Sequence, residues 1–309
     1  MVGGDLMRML HLFQWKLNDV INHVELIKEA GFDTILLTPI QPNKNDVDVD
    51  KDWYKNYQVL DLSVGNSYGS KKDLIRLCDK CKHYGLKVIQ DIIITHYANT
   101  NQYGSLNIHK NVNFNLRNNP HIWRERKLIN YNSRYSITHH CNGLPSVRMD
   151  NYEYQELVFN FMNELIDCGV SGFRIDSCKM IQLPSEFNEN NLFFKNLNTG
   201  LKKKAIFIGE LIFENKDLIK AYNDYGIMNL TEINSDEWKY NQDMYIPFVE
   251  SHDSYHDRQI GFSSKWGNDI VVKKYRNECL KHKNSMFFAR PFNNSWIYAN
   301  MQINSTRSV

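Results

Sequence analysis

The sequence holds little that would place it in a membrane or on a polyanion. No apolar run in its 309 residues approaches the ~20 needed to cross a bilayer, so no membrane partner is expected. Neither charge dominates, since 37 Lys and Arg stand against 35 Asp and Glu, a net of +2. That balance argues against nucleic acid as the main partner. The opening residues MVGGDLMRMLHLFQW lack a basic stretch followed by an apolar run and a small-residue cleavage site. No signal peptide is therefore expected, and a cytoplasmic location follows. The six cysteines (78, 81, 141, 168, 178 and 279) show no disulfide spacing and are expected as thiols. Cys78 and Cys81 lack a second C-x-x-C pair, which speaks against zinc. No Gly-rich phosphate or dinucleotide loop follows any strand-like run.

What the chain does have is alternation. Apolar runs suited to buried strands occur at 9–15, 33–40, 86–96, 170–176, 205–213, 226–230, 244–253 and 285–291. Between them lie amphipathic stretches at 18–31, 70–85 and 152–169. The last carries Leu157, Val158, Phe161, Met162 and Leu165 at helical spacing. Gly31, Gly85 and Gly169 follow these stretches, where a left-handed cap suits glycine. Eight strands separated by helices predict an α/β fold, a TIM (β/α)8 barrel. Residues 97–151, polar and rich in Asn and His, are too long for an ordinary loop and read as an excursion domain. The barrel would then comprise 1–96 and 152–309. Only about a dozen residues (231–243) separate the sixth and seventh runs, and the last 18 carry no helical pattern. The eighth helix is therefore expected to be missing or degenerate. His139, His140 and Cys141 read as loop.

In such barrels the reactive side chains sit at the C-terminal ends of strands. Those positions hold Asp91 and His96, Arg174 and Asp176, Glu210, and His252 with Asp253. Taken singly, a strand-end Asp caps a helix, and Arg-x-Asp forms a local ion pair. Together, and in this order, they supply what a retaining glycosidase needs: a nucleophilic carboxylate, a carboxyl that works as acid and then base, and a further negative charge near the cationic transition state. Arg174 shares a strand face with Asp176 and is placed to keep it ionised.

These segments also carry a family resemblance. DIIITH (91–96), GFRIDSCKM (172–180), GEL (209–211) and FVESHD (248–253) resemble the four short conserved regions of the α-amylase superfamily, glycoside hydrolase family 13. WYKNYQ (53–58) is similar to the aromatic substrate-binding stretch of animal and bacterial α-amylases. The resemblance implies Asp176 as nucleophile, Glu210 as acid/base and Asp253 as transition-state stabiliser. It implies sugar or nucleophile contacts from His96, Arg174 and His252, and an aglycone contact from Lys179. Trp53, Tyr54 and Tyr57 offer rings for sugar faces, and Gln58 offers hydrogen bonds to hydroxyls. Residues 97–151 would be the family's B domain.

The implied activity is retaining endo-hydrolysis of α-1,4-glucosidic bonds in starch or glycogen. An α-glucosidase, a transglycosylase and a truncated, non-hydrolytic glucan binder are the alternatives. Some family features differ. The Asn that normally ligates calcium is Thr95, a poorer ligand for a hard cation. The family also uses a backbone carbonyl at the position of Met180, and LPSVR (144–148) lacks the usual acidic residue. Calcium thus stays an open cofactor, and the usual C-terminal β-sandwich is not expected. Ser251 stands where chloride-dependent members carry Asn, so no chloride is expected.

Overall fold

The computed structural model describes residues 7–44, 53–100, 105–187, 191–197, 199–212, 215–232, 243–248, 251–253, 279 and 281–289. Its strands are β1 (Met7–Leu12), β2 (Thr34–Leu37), β3 (Lys87–Ile92), β4 (Gly172–Ile175), β5 (Ile206–Gly209), β6 (Ile227–Glu232), β7 (Tyr245–Phe248) and β8 (Asn284–Ala289). Each overlaps one of the apolar runs. They close into a barrel in the order β1-β8-β7-β6-β5-β4-β3-β2, the expected α/β barrel. The registers of β1 with β2, β1 with β8, and β4 with β5 are parallel. Continuous apolar composition suits such strands because neither face meets water, and all six residues of β8 are buried.

The principal helices are α1 (Leu17–Glu29), α2 (Lys71–His83), α3 (Tyr152–Asp167) and α4 (Lys216–Asn223). Asn151 starts α3 by accepting a hydrogen bond from the Tyr154 N–H at 2.9 Å. The buried stripe of α3 runs through Tyr154, Val158, Phe161, Met162 and Leu165. Burial of each of these larger apolar side chains contributes roughly 1.5–3 kcal/mol. Leu157, expected in that stripe, is instead 44% exposed, because the buried face is centred towards Gln155, Val158, Met162 and Ile166 and leaves 157 beyond its edge. Gly85 and Gly169 end α2 and α3 at φ of 67° and 102°, a conformation that costs glycine little. None of the helices among the described residues is long and apolar enough to cross a membrane.

The chain forms two compact units. One comprises Met1–Thr38, Lys72–Ile89 and Met228–Val309, and the other Pro39–Lys71 and Gln90–Ile227. In the first, α1 buries Leu17, Val20, Val24 and Ile27, the Trp15 indole donates to the Ala289 carbonyl at 3.1 Å, and Phe32 meets Phe287 edge-on. In the second, the Tyr154 hydroxyl donates to the Ile94 carbonyl at 2.9 Å and lies 3.1 Å from the Tyr97 hydroxyl, anchoring α3 beyond the end of β3.

Segment 97–151 carries short helices at Phe114–Arg117 and Arg134–His139 and isolated bridges that include His96 with Ser146 and Trp123 with Val147. His139 therefore ends a helix where the sequence reads as loop. Ser133, whose hydroxyl accepts from the Ser136 N–H, is the starting cap. Most of the short connection at 231–243 and the stretch after 291 lie outside the described residues, and with them the expectation of a missing eighth helix.

Candidate active site

Two strand tips build the core of the site. Past the end of β4 the Asp176 N–H donates to the Ile92 carbonyl at 3.0 Å, and past β5 the Glu210 N–H donates to the Ile175 carbonyl at 3.1 Å. The parallel ladder thus runs one residue beyond each strand and fixes where the two carboxyl groups start. Gly209 is what permits the close packing here. A Cβ at that position would lie 2.7 Å from Ile227 Cγ2 and 3.1 Å from Cys178 Sγ. Ser177 takes a left-handed conformation (φ 47°, ψ 38°), which costs a non-glycine residue on the order of 1–2 kcal/mol. In that conformation its N–H donates to Glu210 Oε2 at 2.8 Å.

Arg174 connects the acidic groups. Its Nη1 donates to both oxygens of Asp91 at 3.0 Å and to Asp176 Oδ1 at 2.7 Å, while Nη2 lies 3.4 Å from Glu210 Oε2. Three carboxyl groups thus share one guanidinium, all of them on the second unit. Burial opposes the Arg174 charge, but Asp91, Glu210 and Asp176 hold its pKa well above the usual value. Burial pushes the Asp91 carboxyl up to about 7, against the pull of Arg174.

Tyr57 and His96 complete this network. The Tyr57 hydroxyl donates to Asp91 Oδ2 at 3.0 Å, and its ring lies under the Arg174 guanidinium. His96 Nε2 is 3.1 Å from the Tyr57 carbonyl and 3.8 Å from Asp176 Oδ2. Burial lowers the pKa of His96, which favours the neutral ring. A carbonyl only accepts, so Nε2 carries the proton and Nδ1 accepts from the Thr95 hydroxyl 3.0 Å away.

The other residues singled out in the sequence make contacts of their own. Trp53 and Tyr54 adjoin Tyr57 on one 3-10 turn, and Tyr54 is half-exposed, whereas Tyr57 is buried in the network. Gln58 is buried, and its Oε1 has no hydrogen-bond partner among the described residues. The half-buried Lys179 points its ammonium at the Tyr131 ring, 5.3 Å from the centroid. His252 and Asp253 belong to the first unit. There Asp253 Oδ1 lies 3.3 Å from His252 Nε2, and His252 stacks on Phe13 with centroids 4.7 Å apart.

Two arginines with no strand-end signal also shape the site. Arg134 pairs with Glu186 through Nε and Nη2 at 2.7 and 2.8 Å, and its Nη1 donates to the Lys179 carbonyl. Its Nη2 also reaches the Ile181 carbonyl at 3.3 Å, where the Tyr222 hydroxyl donates too. Arg124 donates from Nη2 to the Met180 carbonyl at 2.7 Å. The three successive carbonyls of the turn that carries Lys179 are therefore all held by side chains. In the sequence Arg124 sits in WRERK, which looks like a solvated charged run.

Comparison with known proteins gives one consistent picture. The family model described as alpha amylase, catalytic domain, matches residues 15–281. An α-amylase of Clostridium acetobutylicum is 26% identical over 226 residues, covering 70% of this chain and 29% of that protein. One of Butyrivibrio fibrisolvens is 25% identical, covering 93% and 35%. The chain thus spans about a third of the length of these curated relatives. Among solved structures, the acarbose complex of the Geobacillus thermoleovorans α-amylase matches with a TM-score of 0.70 and 18% identity, over 96% of this chain and 77% of that one. α-Amylase I of Eisenia fetida matches with a TM-score of 0.72 and 14% identity, over 91% and 66%.

Proposed function

The chain belongs to the α-amylase family, and on that premise we propose that it hydrolyses internal α-1,4-glucosidic bonds of starch- or glycogen-type glucans with retention of configuration. The observation that carries this reading is the Arg174 guanidinium, 2.7 Å from Asp176 and 3.4 Å from Glu210. One guanidinium thus gathers the proposed nucleophile and the proposed acid/base at a single point of the second unit.

Asp176 attacks the anomeric carbon while protonated Glu210 gives its proton to the glycosidic oxygen, and the chain beyond that oxygen leaves. The sugar is then esterified to Asp176. Glu210, now a carboxylate, takes a proton from water as the water oxygen attacks the same carbon and releases Asp176. Asp253 opposes the positive charge that develops on the ring in both steps. His96, its Nε2 proton held by the Tyr57 carbonyl, contacts the sugar or the nucleophile Asp176, and His252 offers a second imidazole. Trp53 and Tyr54 give ring faces for stacking, the Gln58 side-chain oxygen accepts from a hydroxyl, and Lys179 meets the leaving segment. The catalytic barrel is assigned to 1–96 and 152–309, with 97–151 as the inserted domain.

Reducing-sugar release from soluble starch tests the reading. Asp176→Asn is expected to lose on the order of 10⁴-fold in kcat while still binding maltoheptaose. Equal rates in the two proteins, or a folded wild type that releases nothing, would overturn it.

A further inference from the structure

Arg124 is 5% exposed and belongs to segment 97–151. Its Nε donates to the Val147 carbonyl at 2.8 Å, Nη1 to the carbonyls of Ile137 and His140 at 3.2 and 3.0 Å, and Nη2 to that of Met180 at 2.7 Å. Four of its five N–H donors thus meet backbone oxygens. Among the described residues no carboxylate pairs with it. Its direct partners are all backbone dipoles, two of them carbonyls at the end of the Arg134–His139 helix, with Asp150 acting on it only from a distance. Such a cluster of inward-facing carbonyls is what a bound cation ordinarily organises, and here a side chain supplies the cation.

The family pattern brings calcium to this region, and the residues present do not fit it. Calcium takes six to eight oxygens, carboxylates among them. Thr95 replaces the amide ligand, and its hydroxyl is directed to His96. The Met180 carbonyl is taken by Arg124. No group of three or more His, Cys, Asp or Glu able to hold a metal occurs among the described residues.

We propose that the Arg124 guanidinium stands in place of the family's calcium, fixing segment 97–151 to the turn that carries Lys179 without a metal. The reading concerns how the segment is held and is independent of which bond the site cleaves.

Thermal unfolding of the purified full chain is the test, with metal content measured by atomic emission. The wild type is expected to carry less than a tenth of an equivalent of calcium. Its Tm should move by no more than about 1 °C with excess EDTA or with millimolar calcium. Arg124→Met strands four buried carbonyls and should lower Tm on the order of 10 °C, with no recovery in calcium. Arg124→Lys, which keeps the charge but loses the fork, should fall between the two. One retained equivalent of calcium, a wild-type Tm that drops several degrees in EDTA and returns with calcium, or an Arg124→Met protein of unchanged Tm would each overturn the proposal. Should Arg124→Met not fold, the wild-type metal content and EDTA response decide alone.

Discussion

Arg174 and Arg124 are both buried guanidiniums of the second unit, and their surroundings are opposite. Arg174 faces three carboxyl groups, and its pKa is driven well above the ordinary value. Arg124 faces backbone carbonyls, and burial lowers its pKa to about 10, which still leaves it charged near neutrality. Carboxyl partners can gain or lose protons and form bonds, whereas carbonyl partners do neither. The molecule thus surrounds one cation with groups that can react and the other with groups that can only hold.

The sharpest way to break this comparison is to remove each cation in turn. Arg174→Met leaves the carboxyl groups facing one another and should cost about 3–5 kcal/mol at pH 8. Less should be lost at pH 5, where protons replace the missing charge. Arg124→Met should show the smaller pH dependence, because its direct partners are carbonyls and the groups it acts on that titrate near this range are the imidazoles of His96 and His140, whose pKa values it helps burial to lower. Urea unfolding of both variants at pH 5 and 8 checks this, and parallel pH dependences would erase the distinction.

A smaller effect is expected from Asp91→Asn. Burial raises Asp91 to about 7, so the folded chain holds a proton where the unfolded chain has lost it. Stability from this group is therefore fully present below about pH 4 and declines as pH rises towards about 7. The variant should flatten that decline, by roughly a few kcal/mol across the range. A wild-type curve that instead climbs from pH 4 to 7, with the same slope in the variant, would contradict the direction. The smallest effect belongs to Ser177→Gly. Relief of the left-handed conformation should add about 1 kcal/mol in urea unfolding. kcat should fall a few-fold as the donor to Glu210 loosens, and an unchanged stability would argue against strain at this turn.

Much of the fold was legible because a buried parallel strand writes itself as a continuous apolar run, and β2 and β5 are of that kind. Asp176, Glu210 and Arg174 were legible for a related reason, since polar residues that end such runs are rare and stand out. Asp91 stood in the same reading without a role of its own, and the structure puts it at the centre of the network. Leu157 was misplaced because two neighbouring apolar residues both fit a helical stripe until packing chooses one. Arg124 could not be read at all. Its partners are backbone oxygens, which every residue has, so no pattern of side chains announces them.

Those oxygens lie 13, 16, 23 and 56 positions along the chain from Arg124. The nearer ones can gather early, but the Met180 carbonyl arrives only with the turn after β4. Until then the guanidinium is better off in water than half-enclosed, so an incomplete cage is worse than none. The cage is therefore whole only when segment 97–151 and the turn after β4 are both in place, and a single side chain joins stretches up to 56 positions apart.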